Sequence, residues 1–191
     1  MKTIKNNILV VVFMFATLMN FANNANDFRN TIEVAFNNIK KGNILTIKNN
    51  IGTIIFSEKI TDNNTLDAIF DFKTLTNGNY TIELEKAFEI ISMPLIVKSE
   101  NIIFRKDVKN VTFKPVIRNK ENVLMISKIA FDNTPLKIDI YFNNEYIFSD
   151  TVKDKNASLL NRVYKLDKNE DGNYKVIVRN NSRSYTYTFN Y

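Results

Sequence analysis

The chain has 191 residues, a formal net charge of +6 and 45% hydrophobic residues, and it contains no histidine, cysteine or tryptophan. Without histidine or cysteine there is no Ser-His-Asp or Cys-His nucleophile, no thiolate redox centre, no disulfide and no zinc site of the usual nitrogen–sulfur kind. Four glycines leave no Walker or Rossmann phosphate loop.

The 30 Asn, 20 Lys and 24 Ile are residues favoured together by AT-rich coding. Lys and Asp/Glu are interspersed without a block of five like charges, so we read the basic excess as a solvated surface and expect no nucleic-acid partner.

The N-terminus carries Lys2 and Lys5, then an apolar run from Ile8 to Met19, with no acid before Asp27. A charged n-region followed by a 12-residue h-region is the form of a secretory signal. It is too short for a membrane span, which needs about 20 apolar residues. Residues 1–25 are therefore read as a signal peptide, with Ala22 or Ala25 at the cleavage site. The expected mature chain is exported, is not an integral membrane protein, and keeps a charge of +4 after loss of Lys2 and Lys5.

The rest repeats. Val34-Ala35-Phe36-Asn37-Asn38 returns as Ile129-Ala130-Phe131-Asp132-Asn133, Ile55-Phe56-Ser57-Glu58 as Ile147-Phe148-Ser149-Asp150, and Gly78-Asn79-Tyr80 as Gly172-Asn173-Tyr174. The three anchors keep their order at offsets of 95, 92 and 94, which predicts two units, 26–108 and 109–191.

The periodicity is that of strands. Leu136, Ile138 and Ile140 alternate with Lys137 and Asp139, and Tyr185, Tyr187, Phe189 and Tyr191 alternate with polar residues. Turn signals recur at Lys41-Gly42-Asn43, Asn49-Asn50, Asn63-Asn64, Asn77-Gly78, Asn133-Thr134-Pro135, Asn143-Asn144, Asp171-Gly172 and Asn180-Asn181. Leu66 to Phe72 and Leu159 to Leu166 have room for a helical turn but not a stable helix. This pattern predicts an all-β chain of two tandem antiparallel Ig-like or fibronectin-like β-sandwich domains.

Gly-Asn-Tyr fits a tyrosine corner, in which Gly allows a tight turn and the Tyr hydroxyl returns to an upstream backbone group. Gly78, Tyr80, Gly172 and Tyr174 are the candidates, with an aromatic ligand platform as the functional alternative.

Leu45-Thr46-Ile47, Gly52, Ile54-Ile55-Phe56 and Phe70-Asp71-Phe72-x-x-Leu75-x-x-Gly78-x-Tyr80-x-Ile82-x-Leu84 make the first unit similar to the C-terminal sorting domain of the type IX (Por) secretion system. The resemblance covers Ile44 to Leu84 and, more faintly, Leu136 to Val178. It implies an Ig-like sandwich and a secretory context in which such a sandwich is read by export machinery.

Three patterns carry possible chemistry. Asp167-Lys168-Asn169-Glu170-Asp171-Gly172 resembles the opening of a calcium loop, with Asp167, Asn169 and Asp171 as oxygen ligands, but its twelfth position is Val178, not a bidentate Glu. We read it as an acidic loop and expect no metal or cofactor. The terminal aromatic stripe also occurs in outer-membrane barrels, but its commoner meaning, and our reading, is one face of a terminal strand packed on the core. Paired carboxylates could serve acid–base catalysis; Asp71, in an apolar setting, reads as structural. The expected function is a non-enzymatic binding or structural module of the periplasm or cell surface, with a protein or cell-envelope partner. The alternatives are a substrate or accessory protein of type IX secretion and a small exported enzyme with a carboxylate site.

Overall fold

The computed structural model of the chain describes residues 36, 39–61, 74–99, 101–154, 156–167, 171–180 and 183–190. The signal region with Ala22 and Ala25, the Asn63-Asn64 turn, the Leu66 to Phe72 segment with Asp71, and Asn169 lie outside them. The described strands are β1 (Ile44–Asn49), β2 (Ile54–Lys59), β3 (Gly78–Glu85), β4 (Glu89–Lys98), β5 (Asn101–Phe104), β6 (Asn110–Phe113), β7 (Val116–Lys120), β8 (Val123–Ile129), β9 (Leu136–Phe142), β10 (Glu145–Val152), β11 (Leu159–Lys165), β12 (Asn173–Asn180) and β13 (Arg183–Asn190). The protein is all-β, and its strands pair antiparallel. It divides into two compact units, Met1–Lys86 with Ile91–Asn110, and Ala87–Ile90 with Val111–Tyr191.

In the first unit the strands run in the order β2-β1-β3-β4-β5. Period-two alternation sends Leu45 and Ile47 of β1, Ile82 and Leu84 of β3, and Met93, Leu95 and Val97 of β4 into the core. Burial changes phase inside β4, where Ile90 and Ile91 are both buried.

The second unit has two sheets, β10-β9-β12-β13 and β11-β8-β7. Leu124, Ile126 and Leu160 of the smaller sheet share one buried cluster with Ile138, Ile140, Val176 and Val178 of the larger. Asn143 and Asn144, both with positive φ, make the two-residue loop between β9 and β10. Two such residues in succession are the requirement of a type I′ hairpin, and Asn tolerates the left-handed region better than most. Leu159 to Leu166 holds no helical turn. It forms β11, because pairing along the whole length of β8 outweighs a weak local preference.

The two units share one four-strand plan. β1 pairs with β2 and β3, and β3 with β4; β9 pairs with β10 and β12, and β12 with β13. Ile47 lies opposite Phe56 and Ile82, and Ile140 opposite Phe148 and Val176. These pairs carry the offsets of the second and third sequence anchors. The register shifts at Ile55 in one unit and at Ile147 in the other, so each repeat places a β-bulge at the same isoleucine. The first anchor behaves differently: Phe36 is fully buried, whereas Phe131 is 70% exposed and packs edge-on against Phe113.

Candidate functional site

Both corner tyrosines reach back along the chain. The Tyr80 hydroxyl donates to the Thr76 carbonyl at 2.8 Å, and that of Tyr174 to the Asp167 carbonyl at 3.4 Å. Tyr174 is buried, stacked on Phe189 at 5.4 Å between centroids and tilted against Phe142 at 4.8 Å. The glycines differ in their reason. The left-handed glycines among the described residues are Gly42 and Gly52, so neither Gly78 nor Gly172 is needed for a positive φ. At Gly172 a Cβ would lie 2.5 Å from the Phe142 ring and 2.8 Å from Asn143 Oδ1, whereas at Gly78 the nearest atom is 3.7 Å away. Gly172 is required by close approach, and Gly78 is not.

Asp167 and Asp171 are exposed. Asp167 contributes its backbone carbonyl to the corner. No group of three acids, histidines or cysteines able to hold a metal ion exists among the described residues.

The structure groups Ile147, Phe148 and Asp150, which the sequence marked only as a repeat anchor, with side chains of β11 that it did not single out for function. Beside Tyr174, between β10 and β11, lies a hollow of about 430 Å³ walled by Ile147, Phe148, Val163 and Tyr164. It is bridged by side chains rather than by strand pairing. Phe148 packs edge-on against Tyr164 at 5.5 Å, and the Asp150 carboxylate accepts from Arg162 Nε and from the Tyr164 hydroxyl, each at 2.9 Å. Burial pushes the Asp150 carboxyl up, but the Tyr164 and Arg162 bonds outweigh it and hold it below the usual carboxylate range. Burial and the Asp150 bond both push the Tyr164 phenol up. One group stays charged and the other neutral across the physiological range. The first unit has a hollow of about 560 Å³ at the matching place, touched by the other bulge isoleucine, Ile55, and by Tyr80.

The rim of the hollow is β11, an edge strand. The Ala130 N–H donates to the Ser158 carbonyl, and that of Leu166 to the Asn122 carbonyl. In an antiparallel ladder bonded and unbonded pairs alternate. Leu160, Arg162 and Tyr164 therefore direct their backbone groups to β8. Leu159, Asn161, Val163 and Lys165 direct theirs away from the sheet. The Asn161 carbonyl, on that outer side, accepts from Arg162 Nη1 at 3.0 Å.

A buried polar chain lies elsewhere in this unit. Lys128 is 1% exposed, and its ammonium donates to both Asp132 oxygens at 2.8 and 3.0 Å and to Thr134 Oγ1 at 3.2 Å. The Thr134 hydroxyl in turn donates a hydrogen bond to Asn180 Oδ1. Burial raises the Asp132 carboxyl pKa, yet the Lys128 and Thr134 bonds win and hold it low.

Comparison with family models and with curated proteins found no match to this chain. Among the described residues no helix is long and apolar enough to cross a membrane.

Proposed function

We propose that the chain is an exported, non-enzymatic binding module of the periplasm or cell surface, built from two tandem Ig-like or fibronectin-like sandwiches. The observation that supports it most is the open edge of the second unit. There Ile147, Phe148 and Val163 stay exposed around a hollow of a size usual for ligand sites. Exposed apolar side chains grouped beside unpaired backbone mark an interaction surface more often than a free-standing fold. The sandwich reading draws support from the strand order. Numbering β7 to β13 as A, B, C, C′, E, F and G gives the sheets A-B-E and C′-C-F-G. Export rests on the Lys2/Lys5 flank and the apolar run Ile8 to Met19.

The test is fractionation of cells producing the full chain, followed by photo-crosslinking from Ile147 and, as a control, from Thr186. A protein or envelope adduct specific to Ile147, recovered from periplasm or surface, is expected. A chain retained in the cytoplasm, or adducts equal at both positions, would contradict the reading. Accumulation in the medium would favour the type IX secretion substrate instead.

A further inference from the structure

An Ig constant-type sandwich holds a fourth strand against the edge of strand E. Here the fourth strand, β10, pairs with β9 in the opposite sheet, and among the described residues no strand pairs with the outer edge of β11. Four residues, Leu159, Asn161, Val163 and Lys165, offer N–H and C=O groups along this edge in alternation. That is the spacing an added strand would meet. Their side chains share the outward face of the sheet with Val116, Arg118, Lys120, Val123, Met125, Ser127 and Ile129, as the register of β7, β8 and β11 dictates. The outward positions of these three strands carry Arg118, Lys120 and Lys165 and no acid. Lys120 and Lys165 flank Val123 in one row; Ile129 and Leu159 form the apolar row at the other end. The inward flank of the edge is the hollow beside Phe148 and Tyr164.

We propose that the edge of β11 receives an extended strand of a partner protein, apolar where it passes Val163 and the hollow and acidic where it passes Lys165. This rests on the binding-module reading and gives its partner a chemistry. Backbone pairing supplies affinity, the hollow takes one side chain of the incoming strand, and the basic end of the sheet fixes its direction. Arg162, folded over the Asn161 carbonyl, covers the edge until the strand arrives, as charged side chains commonly do on edge strands.

The experiment uses the full mature chain and a synthetic peptide of about eight residues, the length of a typical strand. The peptide alternates valine and threonine and ends in two glutamates; it is made in both chain directions and in a lysine-for-glutamate version. Val163→Pro removes an N–H that points away from β8, so the fold keeps its ladder. The expected result is binding of one glutamate peptide with new amide-exchange protection at Asn161 and Val163, weakened about tenfold by Val163→Pro and by the lysine version. Unchanged affinity in Val163→Pro would overturn the proposal, as would the absence of binding by either glutamate peptide. Binding of phosphatidylglycerol vesicles insensitive to Val163→Pro would assign the face to a membrane, and self-association abolished by Val163→Pro would assign it to a second copy; either overturns the proposal. All these failures leave the envelope adduct at Ile147 standing, so they differ from failure of the binding-module reading itself.

Discussion

At Gly172 a single absent Cβ decides whether β12 can pass the Phe142 ring. Adding that methyl puts it 2.5 Å from two ring carbons, and such overpacking costs about 1–3 kcal/mol. Gly172→Ala should lower the unfolding free energy read from urea melts by that amount, while Gly78→Ala, with only ordinary contacts, should change it little. Equal effects of the two would show that the repeated glycines serve one common turn. Tyr174→Phe should cost up to about 1 kcal/mol, since the bond to Asp167 is long but the ring stays stacked; an unchanged midpoint would remove the hydroxyl from the corner. Lys128 is a sharper case. Asp132→Asn leaves a buried ammonium without its counter-charge, which costs about 3 kcal/mol. Because the folded Asp132 carboxyl is depressed, its contribution is present above the unfolded pKa and is lost as pH falls through the folded value. Stability of the second unit should therefore drop as pH falls below about 4, and the drop in urea melts should be smaller, though not absent, in Asp132→Asn, because Asp150 is held low as well. The Gly-Asn-Tyr repeat was legible in sequence, but the reason for Gly172 was not. It depends on Phe142, thirty residues upstream, and no local pattern shows which ring a backbone will meet.

At the scale of elements, β9 and β13 were legible because they alternate with period two against one core. β11 was not. Its apolar residues Leu159, Leu160, Val163 and Tyr164 fall on both faces, a spacing that reads as easily as a helical turn. Two-faced apolarity in a strand means that both faces have company or that one waits for it. Here Leu160 is buried and Val163 is 66% exposed. Proline separates the two edges of the same strand. Tyr164→Pro breaks a bond to β8 and should cost about 3 kcal/mol or more, whereas Val163→Pro should stay within about 1 kcal/mol. Thermal or urea melts that show both variants equally damaged would mean that β11 is paired on both sides.

Across the whole molecule, the repeat anchors at offsets of 92 and 94 fall at matching register positions, and each unit carries its bulge at the same isoleucine. The four-strand plan was therefore readable from spacing. The division of labour around it was not, because β7, β8 and β11 have no legible counterparts among the described residues of the first unit. The proposed binding surface lies there, on what is not visibly repeated. Residue-resolved amide exchange of the full chain tests this account most directly. With β11 an edge open to a partner, the amides of Asn161 and Val163 should exchange at least about a hundredfold faster than those of Leu160, Arg162 and Tyr164. Uniform protection along β11, or protection of the odd-numbered residues, would contradict it.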